Sequence, residues 1–270
     1  MIKKVLPLAI AAAFAAGSAQ ADSFVNGGFD GPVAGDAGTA NGWTVAGSTY
    51  RNGVDNANLT PAFVIANAVS GGVHSAIITA GTVDPRVGAA LGSTVYSGNY
   101  SYRVEDTTTG GYASLIQQTV ANYTDANIFF AWKSVLDGAH GPTSAATMKI
   151  VLHDDTTHTD LISRTYDASG ASGSVDARFS FDGTNYYTAA WQIEQLAIGQ
   201  GTGLGDTLTL SVLASDCQPT GHWGYVYLDG FGAVTPPTGG NVPEPASLAL
   251  VGLGLAGLAA SRRRKSGKSA

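Results

Sequence analysis

Eleven short runs of alternating or β-branched residues, separated by clusters of Gly, Asp, Asn, Ser and Thr, constrain this chain to antiparallel sheet. The runs fall at 62–69, 75–79, 100–105, 113–120, 128–135, 147–152, 160–166, 177–181, 188–196, 207–213 and 224–234. Between them, 106–111, 137–143, 169–173 and 182–185 carry the residues that favour turns through positive φ or local side-chain hydrogen bonds. The segment 190–198 has a helical composition, but its neighbours Tyr186, Tyr187 and Trp191 and the alternation Trp191-Gln192-Ile193-Glu194 favour a strand. No period of about twenty to fifty residues recurs, which argues against a propeller or solenoid. The expected fold is all-β, a jelly-roll-like two-sheet antiparallel β-sandwich with no helix inside the domain.

The two ends follow a different grammar. Lys3 and Lys4 precede an apolar stretch, and Ala19-Gln20-Ala21 places small residues at the positions a signal peptidase reads, so residues 1–21 read as a signal peptide. At the other end, Val242-Pro243-Glu244-Pro245 leads into the apolar run 246–260 and then the basic stop Arg262-Arg263-Arg264-Lys265. The prolines withhold backbone donors and favour extended geometry, which keeps the motif out of a sheet. At ~1.5 Å per residue, an apolar helix of this length reaches about 22 Å, short of the ~30 Å hydrocarbon core. An ordinary C-terminal membrane helix is the competing reading, and it suits so short a run poorly. The order of motif, apolar run and basic stop resembles the PEP-CTERM sorting signal of Gram-negative bacteria. That resemblance implies an exosortase as processing partner, cleavage near Pro243-Glu244-Pro245, transient residence in the inner membrane, and delivery to the cell surface or an exopolysaccharide matrix.

The chain then divides into a signal peptide (1–21), a β-sandwich (22–234), a Pro/Gly linker (235–241), the sorting signal with its transmembrane segment and basic stop (242–266) and a short tail (267–270). Of the 14 basic residues, Lys3, Lys4, Arg262, Arg263, Arg264, Lys265 and Lys268 belong to the ends; 7 basic residues face 19 acidic ones between Asp22 and Pro243, a formal charge of −12. Nucleic acid is therefore not an expected partner, because its phosphates need Lys and Arg. The acidity suits solubility, cations or neutral glycans. Cys217 is the chain's one cysteine, so no intramolecular disulfide forms. It is expected to pair with another chain or to be inert, since no adjacent histidine or basic residue is seen to activate it.

Asn26-Gly27-Gly28-Phe29-Asp30, followed by Gly42-Trp43-Thr44, resembles the opening of carbohydrate-binding-module-like, or galactose-binding-like, jelly rolls. Residues 97–104 and 113–120 resemble their central strands and 225–231 their closing strand. The resemblance implies a structural calcium held by Asp30 and Asp229 with nearby carbonyls; the alternative is that Asp30 organises a turn and Asp229 faces solvent. For glycan contact the candidates are Trp43, His222 and Trp223, with core packing as the competing role. Trp223, Tyr225 and Tyr227 share a strand face and can fill the space between sheets. His153-Asp154-Asp155-Thr156-Thr157-His158 fits no familiar zinc spacing and reads as a hairpin turn. No nucleophile elbow, P-loop or dinucleotide fingerprint occurs, and 199–205 reads as a flexible turn. The expectation is an exported, non-enzymatic surface or matrix protein associated with exopolysaccharide or biofilm. The alternatives are a lectin-like module and a secreted polysaccharide hydrolase.

Overall fold

The computed structural model describes residues 24–29, 42–48, 54–170, 174–199, 203–218 and 220–232. The expected signal peptide, Asp30, the linker and the sorting tail with its expected apolar helix lie outside them. Among the described residues no helix is long and apolar enough to cross a membrane.

Among the described residues, twelve strands form two antiparallel sheets. Sheet A has the order β1 (Thr44–Ser48), β4 (Ala113–Val120), β11 (Leu208–Ser215), β6 (Thr147–Asp154) and β7 (Thr159–Asp167). Sheet B runs β2 (Ala76–Thr79), β3 (Tyr100–Val104), β12 (Gly224–Gly232) and β5 (Asn127–Leu136). On the far side of β5 lie β9 (Tyr186–Tyr187) and β10 (Gln192–Ala197), with β8 (Ser180–Phe181) beyond β9. From β3 to β6, and again from β10 to β12, the chain changes sheet at each step. This is the sandwich expected from the strand pattern.

Alternation along the strands decides what fills the space between the sheets. Ile128, Phe130, Trp132 and Leu136 of β5 meet Met148, Ile150 and Leu152 of β6 and Leu210, Val212 and Ala214 of β11. Trp132 is sealed from solvent and stacks on Tyr166 at 5.2 Å, while its indole N–H donates to Glu194 Oε2 at 3.1 Å. Arg164 pairs with the same Glu194, tying β7 of one sheet to β10 of the other. Truncating a buried aromatic of this size typically costs about 3–5 kcal/mol.

Several elements differ from the expectation. Residues 62–69 do not form a strand; Pro61–Ala66 is a helix, α1. Thr60 caps it by accepting from Phe63 N at 3.1 Å, and Pro61 occupies the first turn, where its missing N–H is harmless. The run 188–196 is strand only in its second half, as β10, with β9 just ahead of it, and 177–181 shrinks to the two-residue β8. Trp223, Tyr225 and Tyr227 do not fill the intersheet core. Val226 and Leu228 point there instead, and the three aromatics lie on the outer face of sheet B with Leu91 and Val135.

Candidate functional site

Each outer face is partly roofed by a connection. On sheet A, the residues facing away from the core change character along the strands. Ala113, Leu115 and Leu213 pack under Leu59 and Val64, so the 54–60 segment and α1 cover that end. Further along the same faces stand Gln117, Thr119, Lys149, Val151, His153, Thr209 and Ser211, and these line an open groove of about 700 Å³. Thr60, Pro61 and Ile65 form its wall beside α1, and Asp155, Asp160 and Ser163 close the hairpin side.

The groove floor is a set of cross-strand hydrogen bonds. Thr119 and Thr209 share a hydroxyl contact of 2.7 Å, and Thr209 Oγ1 donates to Asp155 Oδ2 at 2.6 Å. Ser211 Oγ donates to Gln117 Oε1 at 3.3 Å, and Lys149 Nζ donates to Ala57 O at 3.1 Å. His153 Nδ1 lies 2.7 Å from Asp160 Oδ1. These side chains come from adjacent strands in register, so rigid sheet fixes the spacing of hydroxyl, amide, amine and carboxylate. Among the described residues, no Trp, Tyr or Phe lines the groove. It offers polar, in-plane contacts and no stacking platform.

The outer face of sheet B is closed by the 80–99 connection. Asp84, 1 % exposed, accepts from Tyr225 Oη at 2.9 Å and Tyr227 Oη at 2.8 Å, and also from the backbone N–H groups of Arg86 and Val87. Lys133, 2 % exposed, donates to Leu91 O at 2.6 Å and Ser93 O at 3.0 Å. Burial pushes its ammonium down to about 8, partly offset by the Asp84 charge. Burial likewise lifts both tyrosine hydroxyls well above the usual phenol range.

The expected site residues scatter. Trp43, 8 % exposed, sits among Phe24, Phe29 and Phe231 in the core, so its packing role is the one seen. Trp223 is partly buried, has Arg86 3.7 Å over its ring and donates to Asn185 Oδ1 at 2.8 Å. Asp229 does not face solvent. It is fully buried and accepts from the N–H groups of Tyr96, Ser97 and Gly230 at 2.7–2.9 Å, which holds the turn before β3. Asp30, the other residue expected to hold calcium, lies outside the described residues. His153–His158 is the β6–β7 hairpin, with Asp154 Oδ1 accepting from Thr156 and Thr157. The sorting residues Val242 to Pro245, the basic stop from Arg262 to Lys265 and the cleavage positions Ala19 and Ala21 also lie outside the described residues.

Two clusters were not visible in the sequence. At one edge, His74 Nδ1 approaches Glu105 Oε1 at 3.4 Å and Asp106 Oδ2 at 3.5 Å. Burial raises Glu105, its hydrogen bond to Glu105 raises His74, and burial with the Glu105 charge lifts Asp216 to about 8. At one end of the sandwich, His222 is drawn not towards a glycan groove but to Cys217. Cys217 Sγ lies 3.1 Å from His222 Nδ1 and 3.2 Å from His140 Nδ1. The thiol is therefore not isolated from histidine, as sequence adjacency suggested. Its partners come from seventy-seven residues upstream and from across a tight loop.

Residues 241–265 match the model of the PEP-CTERM protein-sorting motif. No curated protein matches the chain. Among solved structures, TmCBM61 in complex with β-1,4-galactotriose is similar at 12 % identity and a TM-score of 0.39, covering 78 % of this chain and 96 % of that one. The K2 cleaved adhesin domain of Lys-gingipain is similar at 12 % identity and a TM-score of 0.36, covering 76 % and 94 %. A cyclase from Fischerella sp. TAU shows 13 % identity and a TM-score of 0.36 over 76 % and 92 %. Likenesses this distant assign no ligand or activity; the sandwich is read from the strand pairing itself.

Proposed function

We propose that this chain, which carries a PEP-CTERM sorting motif and is thereby marked for export and exosortase sorting in a Gram-negative bacterium, is a non-enzymatic matrix or surface component that holds exopolysaccharide along the open half of sheet A. The observation that supports the reading is the groove itself. Its hydroxyl, amide and charged groups are spaced by strand register along an open groove, as a polymer bearing rows of hydroxyls requires. With no aromatic platform, each contact is weak, and retention depends on many copies engaging one polymer. That suits a sorted, abundant surface protein better than a high-affinity lectin.

A hydrolase reading has one observation in its favour: Asp155 and Asp160 share the groove. A glycosidase needs two carboxylates flanking the scissile bond. Here Asp155 accepts from Thr209, and Asp160 is held by His153.

The test uses the full chain and isolated host exopolysaccharide in a sedimentation assay, alongside Gln117→Ala and Lys149→Ala. Saturable retention, weakened at least threefold by each substitution and without release of reducing ends, is the expected result. Retention indifferent to both substitutions would sink the groove, and release of reducing ends would favour the hydrolase. In the host, deleting Pro243-Glu244-Pro245 is expected to remove the protein from the surface fraction.

A further inference from the structure

The β5–β6 connection (137–146) and the β11–β12 connection (216–223) meet at one end of the sandwich. Asp137 N donates to Trp223 O at 2.9 Å, Cys217 N to His222 O at 3.1 Å and His140 N to Ser144 O at 2.8 Å. Ser144 Oγ donates to Gln218 O across the two loops. Gly138 permits the approach, because a Cβ there would lie 2.8 Å from His222 Cδ2. The loops bring Cys217 Sγ, His140 Nδ1 and His222 Nδ1 within 4.8 Å of one another. The two imidazole rings are 4.6 Å apart between centroids.

A thiol has a single proton, so it can donate to only one of the two nitrogens that face it at near-equal distance. Three lone-pair donors converging from two pinned loops form the ligand set of a metal ion. We propose that His140, Cys217 and His222 bind a zinc-class divalent cation, with the fourth position open to water on the exposed His140 side. The donor chemistry selects the ion. One sulfur and two imidazoles suit zinc, whereas calcium and magnesium require hard oxygens. Tetrahedral zinc, at ~2.3 Å from sulfur and ~2.0 Å from nitrogen, needs S···N separations of about 3.5 Å. Each ring therefore retreats by about 0.4 Å from the separations seen. Binding displaces the Cys217 proton to solvent and leaves a thiolate on the metal, so affinity falls in acid. The acidic surface of the domain concentrates cations near the site. Once ligated, the chain's one thiol is withheld from oxidation and disulfide exchange in the oxidising compartment the protein enters.

Cobalt(II) titration of the full chain is the test, because a Co–thiolate bond gives a sulfur-to-metal absorption that oxygen or nitrogen ligands do not. The expected result is that band at one cobalt per chain, displaced by zinc, absent in Cys217→Ser, and at least tenfold weaker in apparent affinity in His140→Ala and His222→Ala. Zinc is also expected to raise the thermal midpoint of the wild type and not of His140→Ala, whose substituted side chain is exposed and leaves the fold intact. Absence of the thiolate band would overturn the proposal, as would cobalt or zinc binding undiminished in His140→Ala. Binding without the band would move the metal to His74, Glu105 and Asp106.

Discussion

The outer faces of the two sheets are built from the same alternation and put to opposite uses. Sheet A leaves half its face in water, and the side chains there pair in register across strands. Sheet B is roofed by the 80–99 connection, and every polar group beneath it needs a partner from the protein. Lys133, under the roof, donates to two carbonyls and is pushed down to about 8 by burial; Lys149, also buried, lines the groove and donates to Ala57 O. An exposed polar face tolerates substitution because water replaces what is lost. A roofed one does not, since each orphaned donor retains its full desolvation cost.

The sharpest way to break that contrast is Asp84→Ala. It strips both tyrosine hydroxyls and two backbone N–H groups of their acceptor and leaves Lys133 without its neighbouring charge. A loss of about 3–5 kcal/mol in chemical denaturation is expected, and a loss under about 1 kcal/mol would mean the roof is not closed.

Lys133→Met tests the same face through pH. The folded amine binds its proton less tightly than the unfolded one, so the cost of burying the ammonium is full below about pH 8 and disappears towards 10.5. The stability of Lys133→Met relative to wild type is therefore greatest near pH 7 and declines, by on the order of 1–3 kcal/mol, by pH 10.5. A gap unchanged with pH would contradict the burial.

On sheet A, removing the Thr60 cap in Thr60→Ala should cost about 1 kcal/mol, read as a lower denaturant midpoint. The smallest effect belongs to the open groove. Thr119→Val keeps the strand and loses an exposed hydroxyl contact, with stability expected within about 0.5 kcal/mol of wild type. A large loss there would show that the groove serves folding rather than contact.

Much of the sandwich was legible because its strands announce themselves locally. Residues 113–120 carry Leu, Ile, Thr and Val just after the Gly110-Gly111 turn, and β4 spans them to the residue. Strand β1 escaped notice because Thr44–Ser48 contains Ala, Gly and Ser, which carry little strand signal. Helix α1 was misread as a strand because Phe63, Val64 and Ile65 are β-formers, although Thr60-Pro61 spells a helix start. The face assignment of Trp223, Tyr225 and Tyr227 failed for a different reason. Period two says which residues share a side, but not which side a distant connection will cover. The Cys217 cluster lay further out of reach, since two loops separated by six intervening strands must close before the donors meet.

The place of β12 sets the order of events during secretion. It hydrogen-bonds to β3 on one side and β5 on the other, so without residues 224–232 sheet B is two separate pieces. The closing strand is also among the last parts of the domain to cross a translocon that threads from the N-terminus. Until it emerges, the long-range pairing that defines the native state cannot form, and the segment already outside stays pliant. The sorting-motif match begins nine residues after β12 ends, so the closing strand and the motif are neighbours along the chain.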